Sequence, residues 1–169
     1  MISLGLSGLE KEAVKANFLL RLQIRRPLNL WSFKVVVAER LEANKIKIHG
    51  EMKGWAYKGN SGLQLDTMRV STKAPVGVGD LIWAATMAWA LEETPCKKAR
   101  LLAIYDDKKQ HARLIRYFRK KKFHLVREVS SSLPDLPLRM VWGGAGSLMA
   151  TNCVDVLEDC YRQWGKYNN

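Results

Sequence analysis

Leu63-Gln-Leu-Asp-Thr-Met-Arg-Val70, then Pro75-Val-Gly-Val-Gly79, then an apolar run from Asp80 to Glu93 follow one another almost without interruption. The first segment has the β-branched and apolar content of a strand, the second is a glycine turn, and the third is rich in Ala, Leu, Met and Trp, as a buried helix would be. Glycines between a strand and a helix leave backbone N–H groups bare at the helix's positive end, which suits a phosphate. A Gly-x-Gly turn alone is also ordinary turn chemistry, so its surroundings decide the reading. Outward on the C-terminal side, Arg100-Leu-Leu-Ala-Ile-Tyr105 reads as a second strand and Lys108 to Lys122 as a second helix, ending on Phe123. On the N-terminal side, Phe33 to Leu41 and Ile46 to Tyr57, with Asn44 between them, read as an antiparallel hairpin running into the strand that ends at Val70.

This strand, turn, helix, strand, helix order resembles the cofactor-binding half of the GNAT acyltransferase superfamily, over residues 33–143. The family's turn reads Gln/Arg-x-x-Gly-x-Gly/Ala. Here Ala74-Pro-Val-Gly77-Val-Gly79 keeps both glycines and lacks the leading polar residue. The resemblance implies an α+β fold (α/β, three-layer) with a mixed, mostly antiparallel central sheet flanked by helices. It also implies one domain over 1–169, with a helical N-terminal part 8–32, a core 33–143 and a C-terminal helix 151–165.

The implied activity is acyl-coenzyme A-dependent N-acetyl transfer to an amine, with acetyl-CoA as the cofactor. Its phosphates would lie over Val76, Gly77, Val78, Gly79 and Asp80, and the thioester oxygen at an amide near Val70. Basic residues of the second helix, such as Arg113, could pair with the 3′-phosphate. Acyl transfer needs a base for the incoming amine and an acid for the leaving thiolate. Asp66 is the acidic residue on the strand before the turn, and Glu51 on the preceding strand is its alternative.

The family's second-helix pattern, Asn-x-x-Ala-x-x-Leu-Tyr-x-x-x-Gly-Phe anchored on Phe123, puts His111 for Asn, Leu114 for Ala, Phe118 for Tyr and Lys122 for Gly. Phe118 has no proton to give. Tyr117 is one residue earlier, about 100° around the helix, and would need a register shift to serve; His111 is a further acid–base candidate. Bulky side chains at Gly77 or Gly79 should block the backbone's approach to the pyrophosphate.

Net charge is +12, and Lys108, Lys109, Arg113, Arg116, Arg119, Lys120, Lys121, Lys122 and Arg127 follow one another without an acidic residue between them. Such a helix is either a solvated face or an anion-binding surface, so a nucleic acid or acidic protein at 108–127 is an alternative partner. Its buried stripe reads as Ala112, Ile115 and Phe118 or as Leu114, Tyr117 and Phe118. Two other function classes therefore stand beside an enzyme: a non-catalytic acyl-CoA-binding or protein-interaction module, and a basic ribonucleoprotein accessory. The acceptor would be a small-molecule or protein amine, and the resemblance implies a homodimer through the last strand.

With 47% hydrophobic residues and mean hydropathy −0.20, the chain reads as a cytoplasmic globule with no membrane insertion and no leader at Met1. Cys96, Cys153 and Cys160 lack the spacing of a zinc or dithiol site, so no metal and free thiols are expected. Gly8 to Ile24 reads as a helix ended by Arg25-Arg26-Pro27, with residues 28–32 a loop or short helix. Ser130 to Pro137 reads as a loop, Leu138 to Trp142 as a last strand paired with His124 to Val129, and Gly143 to Ser147 as a turn and flap. Thr151 or Asn152 would cap the final helix, to about Trp164.

Overall fold

The computed structural model describes residues 5–104, 108–129 and 146–168. Their order is α1 (Leu6–Lys15), β1 (Phe18–Arg25), β2 (Trp31–Arg40), β3 (Ile46–Ala56), β4 (Leu63–Val70), α2 (Val78–Glu93), β5 (Lys98–Ile104), α3 (Lys108–Lys120), β6 (His124–Val129), β7 (Gly146–Asn152) and α4 (Cys153–Asn168). Single 3-10 turns at Pro27–Asn29 and Glu42–Asn44 join β1 to β2 and β2 to β3.

The sheet has strand order β1-β2-β3-β4-β5-β7-β6, antiparallel throughout except where β4 meets β5. Alternate strand residues face one contiguous core: Phe18 and Leu20, Phe33, Val35 and Val37, Met52 and Ala56, Leu63 and Leu65, Ala99 and Leu101, and Met149. Buried residues of α1, α2 and α4 join that same core, and Leu114, Ile115 and Phe118 of α3 pack against it. All four described helices therefore lie on one side of the sheet. The other side carries polar and charged rows, among them Arg21, Gln23 and Arg25 on β1, Lys34 on β2, and Glu51 and Lys53 on β3.

Helix α2 is buried from Val78 to Ala90 with only Gly79 half-exposed, which is why its sequence is apolar all round rather than striped. Helix α3 is the opposite case, half-buried along Leu114, Ile115 and Phe118 and exposed at Arg113, Arg116, Arg119 and Lys120. Of the two stripes the sequence allowed, neither holds whole, because Ala112 and the outer edge of Tyr117 are exposed.

Two expectations give way. Residues 8–24 are not one helix: α1 stops at Lys15, Asn17 takes the left-handed conformation (φ 64°) that ends helices, and β1 begins at Phe18. Phe18 and Leu22 are four apart, which fits a helix stripe, but with Leu20 and Ile24 they also alternate as a strand requires. Gly146 and Ser147 belong to β7 rather than to a turn. A Cβ at Gly146 would sit 2.3 Å from the Ala103 carbonyl oxygen, so glycine here permits close strand approach. Asn152 ends β7 and stands directly before α4, at the expected cap position, its amide donating to Asp155 Oδ2 at 3.2 Å, and α4 runs past Trp164 to Asn168. The loop 130–137, the strand 138–142 and the flap residues 143–145 lie outside the described residues.

Helix α3 closes with Lys122 left-handed (φ 71°), the Phe123 N–H donating to the Phe118 carbonyl and the Lys122 N–H to that of Arg119. This is a Schellman motif with lysine at the position glycine usually takes. Its Cβ costs about 1 kcal/mol there, so Lys122→Gly should stabilise the protein by about that amount. A urea midpoint that falls instead would mean that the Lys122 side chain contributes more than its backbone costs.

Candidate active site

Strands β4 and β5 are paired only at their starts, Leu63 with Ala99 and Gln64 with Arg100, and then part. From Leu65 to Val70 the β5-facing edge of β4 has no strand partner among the described residues, and a wedge opens toward the C-terminal ends of two parallel strands, where ligands enter folds of this kind. A cavity of about 60 Å³ occupies the wedge, walled by Met52, Leu65, Asp66, Thr67, Met68, Trp83, Leu101, Leu102 and Phe118.

Asp66 has its position from a β-bulge. Leu65 pairs with Gly54 and Thr67 with Lys53, so Asp66 is the extra residue, opposite nothing on β3. Bulges turn a side chain out of the pleat's alternation. Gly54 makes the bulge compact: a Cβ there would lie 2.2 Å from the Gln64 carbonyl oxygen and 2.7 Å from the Phe33 ring. Through this placement Asp66 also lines a second cavity, of about 400 Å³, on the polar side of the sheet, together with Gln23, Arg25, Ser32, Lys34, Lys53 and Trp55. Among the described residues it is the one that the two cavities share.

Tyr117 does not line the wedge itself, but its hydroxyl contacts two residues that do. Its hydroxyl accepts a hydrogen bond from Trp83 Nε1 at 2.9 Å and lies 4.0 Å from Met68 Sδ on β4. Burial raises its pKa above the ordinary tyrosine value against the opposing Trp83 hydrogen bond and Lys121 charge, so the phenol keeps its proton at neutral pH. Glu51 is elsewhere, on the polar side, paired with Lys34 at 3.3 Å and Lys53 at 3.8 Å. His111 is also away from the wedge, with Nδ1 3.3 Å from the Ile104 carbonyl and Nε2 3.0 Å from Ser147 Oγ, which in turn donates to Glu128.

The turn ahead of α2 matches its sequence reading in backbone terms. Gly77 is the N-cap, left-handed at φ 97°, and the first helical bond runs from the Leu81 N–H to its carbonyl. The N–H groups of Gly79 and Asp80 precede that bond and have no helical acceptor. Val76 is exposed, and nothing lies within 4 Å of where a Gly79 Cβ would sit. Gly77 is different, since its Cβ would meet the Trp164 ring of α4 at 3.0 Å. Val70 stands opposite Gly50 at the end of β4 and lines a shallow recess with Ile48, Arg69 and Ser71. Arg113 is on the exposed face of α3.

Sequence reading missed the partnership beneath this turn. Lys121, counted with the basic run, is turned inward to an ion pair with Asp80 Oδ1 at 2.5 Å, and both side chains are largely buried. Burial lowers the Lys121 pKa, but Cys160 and Asp80 outweigh it and raise the pKa overall. Trp83 as the wedge's wall was missed too, for a tryptophan inside an apolar helix carries no mark of the face it occupies.

No protein-family model matches the sequence, and no curated protein is a recognisable relative. Among solved structures, nourseothricin acetyltransferase is similar at TM-score 0.51 and 14% identity, over 85% of this chain and 93% of that one. An uncharacterized Bacillus halodurans protein is similar at TM-score 0.45 and 18% identity, over 82% and 67% of the two chains. The seven-stranded, mostly antiparallel sheet with its parted β4 and β5 and its helices has a GNAT-like, acetyltransferase-like fold.

Proposed function

We propose that the chain is an N-acetyltransferase that takes its acetyl group from acetyl-coenzyme A and gives it to an amine. The observation that carries this reading is Asp66, bulged out of β4 and common to the wedge and to the polar-side cavity. The bare N–H groups and open space at Gly79 fit the pyrophosphate, with Val76 to Asp80 as the cradle and Arg113 free to meet the 3′-phosphate. Bound there, the substrate supplies an activated acetyl thioester. Asp66 takes the proton from the amine as its nitrogen becomes nucleophilic. The unpaired amides along β4, toward Val70, hold the carbonyl oxygen, and Tyr117 gives its hydroxyl proton to the departing sulfur. Glu51 and His111 take no part, because their polar atoms are committed elsewhere.

A second reading has its own observation. At about 60 Å³ the wedge is smaller than the usual ligand pocket, because Trp83 and Phe118 stand in it, and a scaffold that no longer admits the coenzyme would look the same. Titration calorimetry with acetyl-coenzyme A at two salt concentrations separates the readings, and Gly79→Leu is its control. Leucine favours helix over glycine and its Cβ meets no described atom within 4 Å at this position, so the variant should be at least as stable as the wild type. Its coenzyme affinity should nevertheless fall by about tenfold or more, a loss of 1.4 kcal/mol or more. Salt-tolerant micromolar binding by the wild type alone supports the enzyme; equal binding by Gly79→Leu removes the turn from the site. Absence of binding, with steeply salt-dependent uptake of duplex RNA, would favour the basic face of α3 as the working surface.

A further inference from the structure

The polar-side cavity has a chemistry of its own, and the inference from it rests on the acetyltransferase reading for the role of Asp66. It crosses four strands. Arg25 and Gln23 come from β1, Ser32 and Lys34 from β2, Lys53 and Trp55 from β3, and Asp66 from β4. The charges are sorted. Lys34 and Lys53 share the Glu51 carboxylate, at 3.3 and 3.8 Å, which leaves them largely compensated. Arg25 has no acidic partner among the described residues, and the Ser32 backbone pairs directly with its own. The neighbouring arginine, Arg26, is held over the Trp31 ring at 4.0 Å and does not line the cavity. One end thus offers a guanidinium, an amide and a hydroxyl, which is the donor set of a carboxylate or phosphate site. The other end offers the Asp66 carboxylate, and the half-exposed Trp55 ring forms a wall between them.

Three inter-strand steps of about 4.8 Å put the backbones of β1 and β4 about 14 Å apart. Standing on strands that far apart, the Arg25 and Asp66 side chains suit a ligand whose amine and anion are set apart better than one that carries both on a single carbon. We infer that the acceptor is an elongated primary amine with an anionic group, carboxylate or phosphate, at its far end: the amine at Asp66, the anion at Arg25, and an apolar linker along Trp55.

The test uses 6-aminohexanoate, 6-aminohexyl phosphate and 1-aminohexane as probes, read by the shift of the Trp55 indole resonance without coenzyme present. Both anionic probes should bind the wild type, and their affinity should drop by about tenfold or more in Arg25→Gln, the loss of a charge-assisted hydrogen-bond pair. Arg25 is exposed, so its replacement leaves the core alone. Arg21→Gln, one pleat repeat away from the cavity on the same strand, should behave as wild type. Whichever anion binds more tightly tells carboxylate from phosphate. Equal binding of 1-aminohexane and the anionic probes, or equal binding by wild type and Arg25→Gln, overturns the assignment, as does binding of none of them. Because acetyl transfer is not the readout, Arg25-dependent binding in a protein that acetylates nothing would sink the enzyme reading and leave the recess as a binding site for such an amine. Acetylation that prefers 1-aminohexane would do the reverse.

Discussion

Asp66→Asn should slow acetyl transfer by about 10²- to 10⁴-fold, the range in which a positioned general base contributes, and leave coenzyme affinity unchanged. The substitution keeps the size of the side chain and removes only its ability to accept a proton. Asp66 is exposed and has no backbone partner on β3, so folding gives no second explanation for a loss of rate. Glu51→Gln is the comparison: its carboxylate serves Lys34 and Lys53, and the turnover of that variant should stay near wild type once its stability is allowed for. Steady-state rates with a saturating amine decide the matter. If Asp66→Asn turns over as fast as wild type, water or another group removes the proton, and the bulge loses its meaning for chemistry.

The second large effect is on stability and lies on the alkaline side. Burial pushes the thiols of Cys153 and Cys160 up to about 12 from an ordinary value of 9.0, with Cys96 adding to the first and Asp80 to the second. The folded chain thus holds these protons more tightly than the unfolded chain does. Below pH 9 both states keep them, and the packing contribution is complete. Between pH 9 and 12 the unfolded state releases them first, so stability falls as pH rises. At 1.36 kcal/mol per unit for each thiol, the two together withdraw about 3 kcal/mol by pH 10. Urea unfolding at pH 8 and pH 10 measures the difference. Cys153→Ala/Cys160→Ala should show a much shallower fall while being less stable at pH 8, because α4 loses packing volume. A wild-type free energy that is the same at both pH values would mean that the thiols are hydrated in the folded protein.

The half of the fold around the glycine turn was legible because each of its elements carries a local mark. β-branched and apolar content marks β4 at Leu63–Val70, and the apolar run marks α2. The paired glycines mark the turn itself, and the structure gives Gly77 the left-handed backbone there. The N-terminal error came from ambiguity in period, since Phe18 and Leu22 satisfy helix and strand alike, and the informative residue was Asn17. β7 was obscured for another reason: Gly146 is needed by a neighbour across the sheet, and nothing local says so. In the site, Asp66 was legible as an acid on the right strand, but the bulge that gives it two cavities depends on register with β3, which no residue of β4 encodes. Tyr117 was judged by its angle on an isolated helix. The structure brings Trp83 to meet it instead. The recess holding Arg25 and Trp55 assembles from four strands and had no linear signature at all.

The parting of β4 and β5 has a mechanical meaning. Among the described residues the ladder at the seam between one half of the sheet, β1 to β4, and the other, β5 to β7, is two residue pairs long, extended by the Lys97 and Lys98 N–H groups donating to the Asn60 carbonyl. Cohesion across that seam falls to the helices, with the α2 and α4 residues packed in one core that spans both halves. The two halves are therefore tied to each other mainly through side chains packed on one face, so a substitution in the α2–α4 contact reaches both of them.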